Sequence, residues 1–200
     1  MPNWKFVFDT ETTGLPDRIS QNIYFDYKDI EKYNKSRLVS IAWVLFDIDE
    51  PYKPHVNEYI IKPNGFIIYN SHFHGIDQIK AEKEGWTIGQ LSKILKEIFK
   101  SHPINTIIGH NLLFDLHILA SELYRAGEKD LASDIMTFDR YCTMEETRDK
   151  LKLTPQFGGR WKPPRLDELH RHLFGQPVQN PHQSSADSWA IYLCYVELMK

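Results

Sequence analysis

The stretch Lys5–Leu15, KFVFDTETTGL, limits what this chain can fold into more than any other segment. An apolar run ends in Asp9 and Glu11, spaced i, i+2. In an extended backbone that spacing points both carboxylates to one face. A strand over residues 5–9 must therefore cross a core and deliver two acids at its carboxyl end. Side by side they repel and raise each other's pKa unless a cation lies between them. Hard oxygen ligands of this kind suit Mg²⁺ or Mn²⁺. Gly14 then permits a tight turn close to a ligand. The same pattern also fits a solvated strand end running into a turn.

Leu38–Asp47, LVSIAWVLFD, is almost continuously apolar and reads as a strand buried on both faces. Val56–Lys62 alternates more weakly and stops at Pro63-Asn64-Gly65, a turn signal. Strands this close in sequence pair antiparallel, the second against the first and third. Residues 16–37 form a long polar and aromatic excursion with a short helix around Lys28–Tyr33. A connection of that length inside a domain is usually functional or mobile. Asp77 caps a helix through Glu84, and Thr87 caps an amphipathic one carrying Leu91, Leu95 and Phe99. Asn105–Gly109 is a short strand, followed by a helix from Asn111 to about Arg125. Residues 128–143 hold a helix and a strand near Arg140–Thr143, and Leu151–Pro164 is a loop. A helix over Arg165–Phe174 ends at Gly175, and a last one starts near Ser185. Three strands followed by alternating helices and strands predict an α/β layered fold with a mixed sheet. Ligands of such sheets gather beyond the carboxyl ends of central strands, where Asp9 and the segment after Gly109 both lie.

Two further motifs carry acids. In His110-Asn111-Leu112-Leu113-Phe114-Asp115, Asn111 and Asp115 stand one helical turn apart, with Asp115 among apolar residues. A lone buried Asp is costly unless paired or bound to metal, although an Asp near a helix start is also favoured by the dipole. In His182-Gln183-Ser184-Ser185-Ala186-Asp187, Pro181 precedes and Ser184-x-x-Asp187 has the form of a capping box. That puts His182 on a loop and Asp187 in the first turn of the last helix. Asp187 completing only a cap, with His182 a plain loop residue, remains open at this point.

Composition narrows the partners. At 200 residues, with 42% hydrophobic and 26% charged residues, the chain reads as one soluble domain over 1–200. A net charge of -3 gives no global pull toward nucleic acid or membrane, so any such footprint must be local. Residues 148–172 supply one: seven cations, Lys150, Lys152, Arg160 and Lys162 among them, against three carboxylates, with Trp161 inside. Interleaved cations and an aromatic suit a single strand; a solvated loop has the same look. Cys142 and Cys194, far apart, suggest reduced thiols in a cytoplasmic setting. No apolar leader or membrane-length run is expected.

As an ordered set, FDTETTGL, HNLLFD and H-x4-D resemble the DEDDh, DnaQ-like family of 3′–5′ exonucleases. His74-Gly75-Ile76 is similar to the HGI loop of polymerase III proofreading subunits, and LDELHRHLFG to the helix before the third motif. The resemblance covers nearly the whole chain. It implies a ribonuclease H-like fold, with helices on both faces of a five-stranded mixed sheet. It implies hydrolysis of a phosphodiester with two Mg²⁺ or Mn²⁺ ions, held by Asp9, Glu11, Asp115 and Asp187, with His182 as general base; an imidazole ordinarily titrates near neutral pH. Carried over by position, the backbone of Thr12 and Thr13 meets a 3′-hydroxyl and Leu15 wedges between the last two bases. His74 and Ile76 cover the terminal base, and Asn111 reaches a sugar or phosphate. For Leu15 and Ile76, ordinary packing is the competing role. The implied partner is the 3′ end of single-stranded nucleic acid, DNA ahead of RNA. Relatives include homodimers and polymerase subunits, and work in proofreading, repair or end-trimming. An exoribonuclease or oligoribonuclease-like trimming enzyme, a hydrolase of small phosphodiesters and a degenerate binding module are the rival readings.

Overall fold

The computed structural model describes residues 3–20, 23–155 and 159–200; residues 21–22 of the excursion and 156–158 of the basic stretch lie outside the described residues. Chain order is β1 (Trp4–Thr12), β2 (Arg18–Ser20), β3 (Ile23–Tyr24), β4 (Leu38–Asp47), β5 (His55–Ile60), α1 (Ser71–His74), α2 (Gln78–Glu84), α3 (Ile88–Ser101), β6 (Ile104–Gly109), α4 (Leu112–Arg125), α5 (Lys129–Asp134), β7 (Asp139–Cys142), α6 (Thr143–Leu151), α7 (Leu166–Phe174) and α8 (Ser184–Leu198). The main sheet runs β5-β4-β1-β6-β7. β4 is antiparallel to β1 and β5, whereas β6 is parallel to β1 and β7 is parallel to β6. This is the mixed five-stranded sheet expected, with helices on both faces.

The alternation of β1 sorts its side chains between two cores. Phe6 and Phe8 join Ile41, Trp43 and Leu45 under α3 and α4, through Leu91, Leu95, Leu116 and Leu119. Val7 joins Val44, Phe46 and Ile108 against Ile191, Tyr192 and Tyr195 of α8. Full burial of side chains this size contributes about 1.5–3 kcal/mol each relative to exposure. Asp9 and Glu11 continue the Val7 face and so emerge beneath the first turn of α8.

Several local expectations are corrected. β1 continues beyond Asp9 to Thr12, because β4 pairs with it as far as Leu38. Both acids therefore sit within the strand. The excursion contains a second small sheet, β2 against β3, and a 3-10 turn at Ile30–Tyr33. Between the strand expected near Thr143 and the loop expected from Leu151 lies α6, a helix whose sequence TMEETRDKL has no apolar stripe; the buried hydroxyls of Thr143 and Thr147 seal it. The box expected at Ser184 is absent: Gln183 is the N-cap, and the Ser184 hydroxyl is buried against Ser40 at 3.0 Å and Glu58 at 3.2 Å. The caps expected at Asp77 and Thr87 are present. Asp77 accepts from the Lys80 amide, and Thr87 forms a full box with Gln90. Among the described residues no helix is long and apolar enough to cross a membrane.

Candidate active site

β1, α4 and α8 each bring a carboxylate to one place. One carboxylate oxygen from each of Asp9, Glu11 and Asp187 can be chosen so that all three lie within 4.8 Å of one another. Asp115 reaches the group from the opposite layer. The β1–β6 ladder ends at Val7 and Ile108, so the Thr10 amide has no strand partner on that side. Asp115 takes it at 3.1 Å and also accepts the Thr10 hydroxyl at 2.6 Å. A carboxylate on a helix is thereby tied to the strand that carries the other two acids. Asn111, expected in the same helix, is instead its N-cap in a left-handed conformation, φ 64°.

Asp187 is oriented by its neighbour. Its Oδ2 accepts the His182 amide at 2.9 Å, and His182 is itself left-handed, φ 66°, on an exposed loop. The imidazole is free of the backbone bond that aims the acid.

Electrostatics follow from this crowding. Burial, then the charges of Asp115, Asp187 and Glu11, pushes Asp9 well above the ordinary carboxylate range. Burial and the charges of Asp187, Asp115 and Glu58 raise Glu11 to about 7. Burial raises Asp115 to about 7 as well, against the opposing pull of its Thr10 hydrogen bonds. Burial also raises Asp187, while the His182 amide and ring lower it. Four acids so concentrated are a donor set that fits a divalent metal, whose charge would reverse each of these shifts.

A stability consequence is open to test. A raised folded-state pKa stabilises below the unfolded value and is lost as pH climbs through the folded value. In EDTA, the melting temperature should therefore fall as pH rises from about 4 to about 7, the interval between the ordinary and raised values of Glu11 and Asp115. Adding Mg²⁺ or Mn²⁺ should restore it most strongly at the upper end. Scanning calorimetry that gave a flat, metal-independent profile would exclude a shared cation site.

The walls are built from residues that carry no sequence signal of their own. A cavity of about 660 Å³ opens beside Asp9, Asp187 and His182, lined also by His110, Pro164 and Arg165. His110 is held down at about 4 by burial, against the raising effect of its Pro164 bond. A neutral ring donates from Nε2 to the Pro164 carbonyl at 3.0 Å and accepts the Thr143 hydroxyl at Nδ1, 2.9 Å. It ties the Pro-rich wall to the end of β6. Opposite, the turn after β1 is fastened to the start of β4. The Thr13 amide donates to the Arg37 carbonyl at 2.9 Å, and the Arg37 amide to the Thr13 hydroxyl at 2.9 Å. Arg37 is locked in turn by a buried ion pair with Glu122. A Cβ at Gly14 would lie 2.9 Å from the Lys35 carbonyl oxygen, so only glycine fits this close approach.

Of the residues expected to meet substrate through their backbone, Thr13 has its amide bonded to the Arg37 carbonyl. Thr12 is buried; its carbonyl accepts the Asn70 side chain at 2.8 Å, and Asn70 accepts the His74 ring at 3.4 Å. His74 and Ile76 are only 5% and 6% exposed, along the wall of a cavity of about 190 Å³ that includes Glu11. Ile76 packs with Val39, Ile68 and Ala81. Leu15, by contrast, is 64% exposed at the turn. The basic loop is partly self-neutralised, since Lys162 pairs with Glu168 at 2.6 Å, Arg171 with Asp167 at 3.0 Å and Arg148 with Glu145 at 2.8 Å. Lys150, Lys152 and Arg160 form no ion pair among the described residues. Thr10, Arg37 and Asn70 went unseen in the sequence. Each acts on a residue far along the chain, and nothing local marks it.

Comparison with known proteins places this geometry. The Exonuclease family profile matches residues 6–195. No curated protein matches in a sequence comparison. Among solved structures, E. coli exonuclease I in complex with a dT13 oligonucleotide is similar with a TM-score of 0.70 at 18% identity, over 99% of this chain and 41% of that one. The zinc-bound E. coli exonuclease I–ssDNA complex gives 0.70 and 18%, over 98% and 40%. This chain thus spans about two fifths of the exonuclease I chains it matches, and at that identity the likeness is one of fold. The family profile runs from the first core residues of β1 into α8, across every element that contributes an acid, and the chain belongs to the DEDDh, DnaQ-like exonuclease family.

Proposed function

We propose that this chain removes nucleoside monophosphates from the 3′ end of single-stranded nucleic acid, DNA in preference to RNA, by metal-dependent phosphodiester hydrolysis. The convergence of Asp9, Glu11 and Asp187 within 4.8 Å, with Asp115 tied beside them, carries the reading. The family generally uses divalent metal ions. The dT13 and ssDNA complexes of E. coli exonuclease I favour DNA.

Asp9, Glu11, Asp115 and Asp187 hold two Mg²⁺ or Mn²⁺ ions, which when bound supply water activation and neutralisation of phosphate and leaving-group charge. His182 accepts the proton of the attacking water from its loop, beside Asp187, which its own backbone amide orients. Thr10 keeps Asp115 aimed at the site. Leu15 projects far enough to separate the last two bases. His74 acts on the terminal pocket through Asn70 and the Thr12 carbonyl, and Ile76 through packing. Asn111, at the start of α4, faces the sugar–phosphate backbone.

Matched 5′-labelled DNA and RNA strands, incubated with Mg²⁺ or Mn²⁺, test this. The expected result is a ladder shortening from the 3′ end, faster on DNA. A 3′-phosphate should block it, because the pocket is proposed to receive a free hydroxyl, and a 5′-phosphate should have little effect. Mononucleotide release from the 5′ end would refute the assignment. Faster loss of RNA would make it an exoribonuclease.

A further inference from the structure

The excursion between β1 and β4 is not a free loop. Its Ile30 carbonyl accepts Arg125 at 2.6 Å, and the Tyr33 hydroxyl meets His117 Nδ1 at 2.9 Å with the two rings stacked. Tyr24 lies against the same helix, its ring centroid 6.4 Å from Phe114 and 5.2 Å from His117. All of these anchors are on α4, the helix that carries Asp115. The hairpin is therefore fastened beside the acid cluster by the element that builds it.

Two residues of that hairpin lie together where it packs on α4. Arg18 and Tyr24 are direct cross-strand partners. Tyr24 is only 9% exposed. Burial raises the pKa of its phenol, against the lowering effect of the Arg18 charge. Arg18 is exposed and forms no ion pair among the described residues. A guanidinium presents donors in a fixed fork that matches phosphate oxygens. Here the strand partner of the arginine is a buried tyrosine packed on α4, the helix that carries Asp115.

We propose that Arg18, positioned by Tyr24, binds the first phosphodiester on the retained side of the scissile bond. The proposal rests on the exonuclease reading above. Its side follows from that reading: the turn carrying Leu15 is assigned the terminal nucleotide, and the hairpin lies apart from that turn, with Tyr24 against Phe114 of α4. The retained strand then passes the hairpin. The excursion becomes a clamp on the retained strand, a role the basic loop, with Lys162 already paired, fills less well.

Arg18→Gln, Arg18→Lys and Tyr24→Phe test this against two substrates. One is a fluorescein-labelled oligothymidylate. The other is the p-nitrophenyl ester of thymidine 5′-monophosphate, which has one phosphate and no retained strand. Arg18→Gln should lower kcat/KM on the oligonucleotide about 10–100-fold, the effect of losing one hydrogen bond to a charged group. On the nitrophenyl ester the change should stay below about twofold, since the missing contact is absent there anyway. Oligonucleotide binding in Ca²⁺ over a salt series should lose about 0.7 from its slope, the single-strand value for one phosphate contact. Arg18→Lys should keep the slope, and Tyr24→Phe should show a smaller loss confined to the oligonucleotide. Equal losses on both substrates would overturn the assignment, placing Arg18 at the reacting phosphate. So would an unchanged rate and salt slope, leaving the hairpin as a cover for α4. If the wild type turned over neither substrate, the exonuclease reading itself would fail, whereas the salt slope would still report on Arg18.

Discussion

Asp9→Ala and Asp187→Ala are each expected to reduce metal-dependent turnover by at least about 10²–10³-fold, the effect of removing one stabiliser from a preorganised site. Each change removes a carboxylate from the three that share one point within 4.8 Å. Stability should move the other way. Asp9 is destabilised by burial and by Asp115, Asp187 and Glu11, so its loss relieves repulsion in the metal-free protein. In EDTA at pH 8 the melting temperature should hold or rise, and the increment gained on adding Mg²⁺ should shrink. At Asp187 the exposed His182 amide loses its acceptor but can turn to water. Wild-type turnover in either variant would end the shared-metal reading. A collapse of the metal-free melting temperature would show that the acids are structural instead.

His182→Ala is expected to cost about 10²–10⁴-fold in kcat at neutral pH, the usual range for a positioned acid–base group. The acid limb of the kcat profile should largely disappear with it. Metal binding should survive for a specific geometric reason. Asp187 is oriented by the His182 backbone amide, at 2.9 Å, and alanine keeps that amide. The left-handed φ of 66° at this position also persists, at a modest cost for a non-glycine residue. Metal titration by calorimetry on the variant should thus resemble the wild type, and the two carboxylate variants should not. A His182→Ala enzyme with unchanged rate and pH profile would mean that the reaction needs no side-chain base.

How much of this was legible in advance divides along a physical line. Patterns set by nearest neighbours could be read directly. The apolar run Leu38–Asp47 is the strand it promised, the Asp77 and Thr87 caps start their helices, and Gly127 and Gly175 follow the ends of theirs. Asp9 and Glu11 share a face because strand geometry has a period of two. Where the signal is weak the reading failed. α6 offers no apolar period, and α1 is a single turn whose sequence SHFH shows none. Ser184-x-x-Asp187 has the letters of a capping box, but its hydroxyl is drawn instead to Ser40 and Glu58, and its acid to the His182 amide.

The sequence by itself determined the layered α/β fold, the central strand and the acids carried at the ends of three elements. Only the tertiary structure decided how those acids are held and what surrounds them. Thr10 binds Asp115 across 105 positions, and Arg37 meets Glu122 across 85. Asn70 caps the Thr12 carbonyl, and the hairpin bearing Arg18 and Tyr24 docks on α4. Lys162, one of the cations of the basic stretch, is paired with Glu168. Backbone periodicity is written locally, because each residue's φ and ψ depend on its neighbours. A side-chain partner many residues away is chosen by packing, and no spacing rule along the chain encodes it.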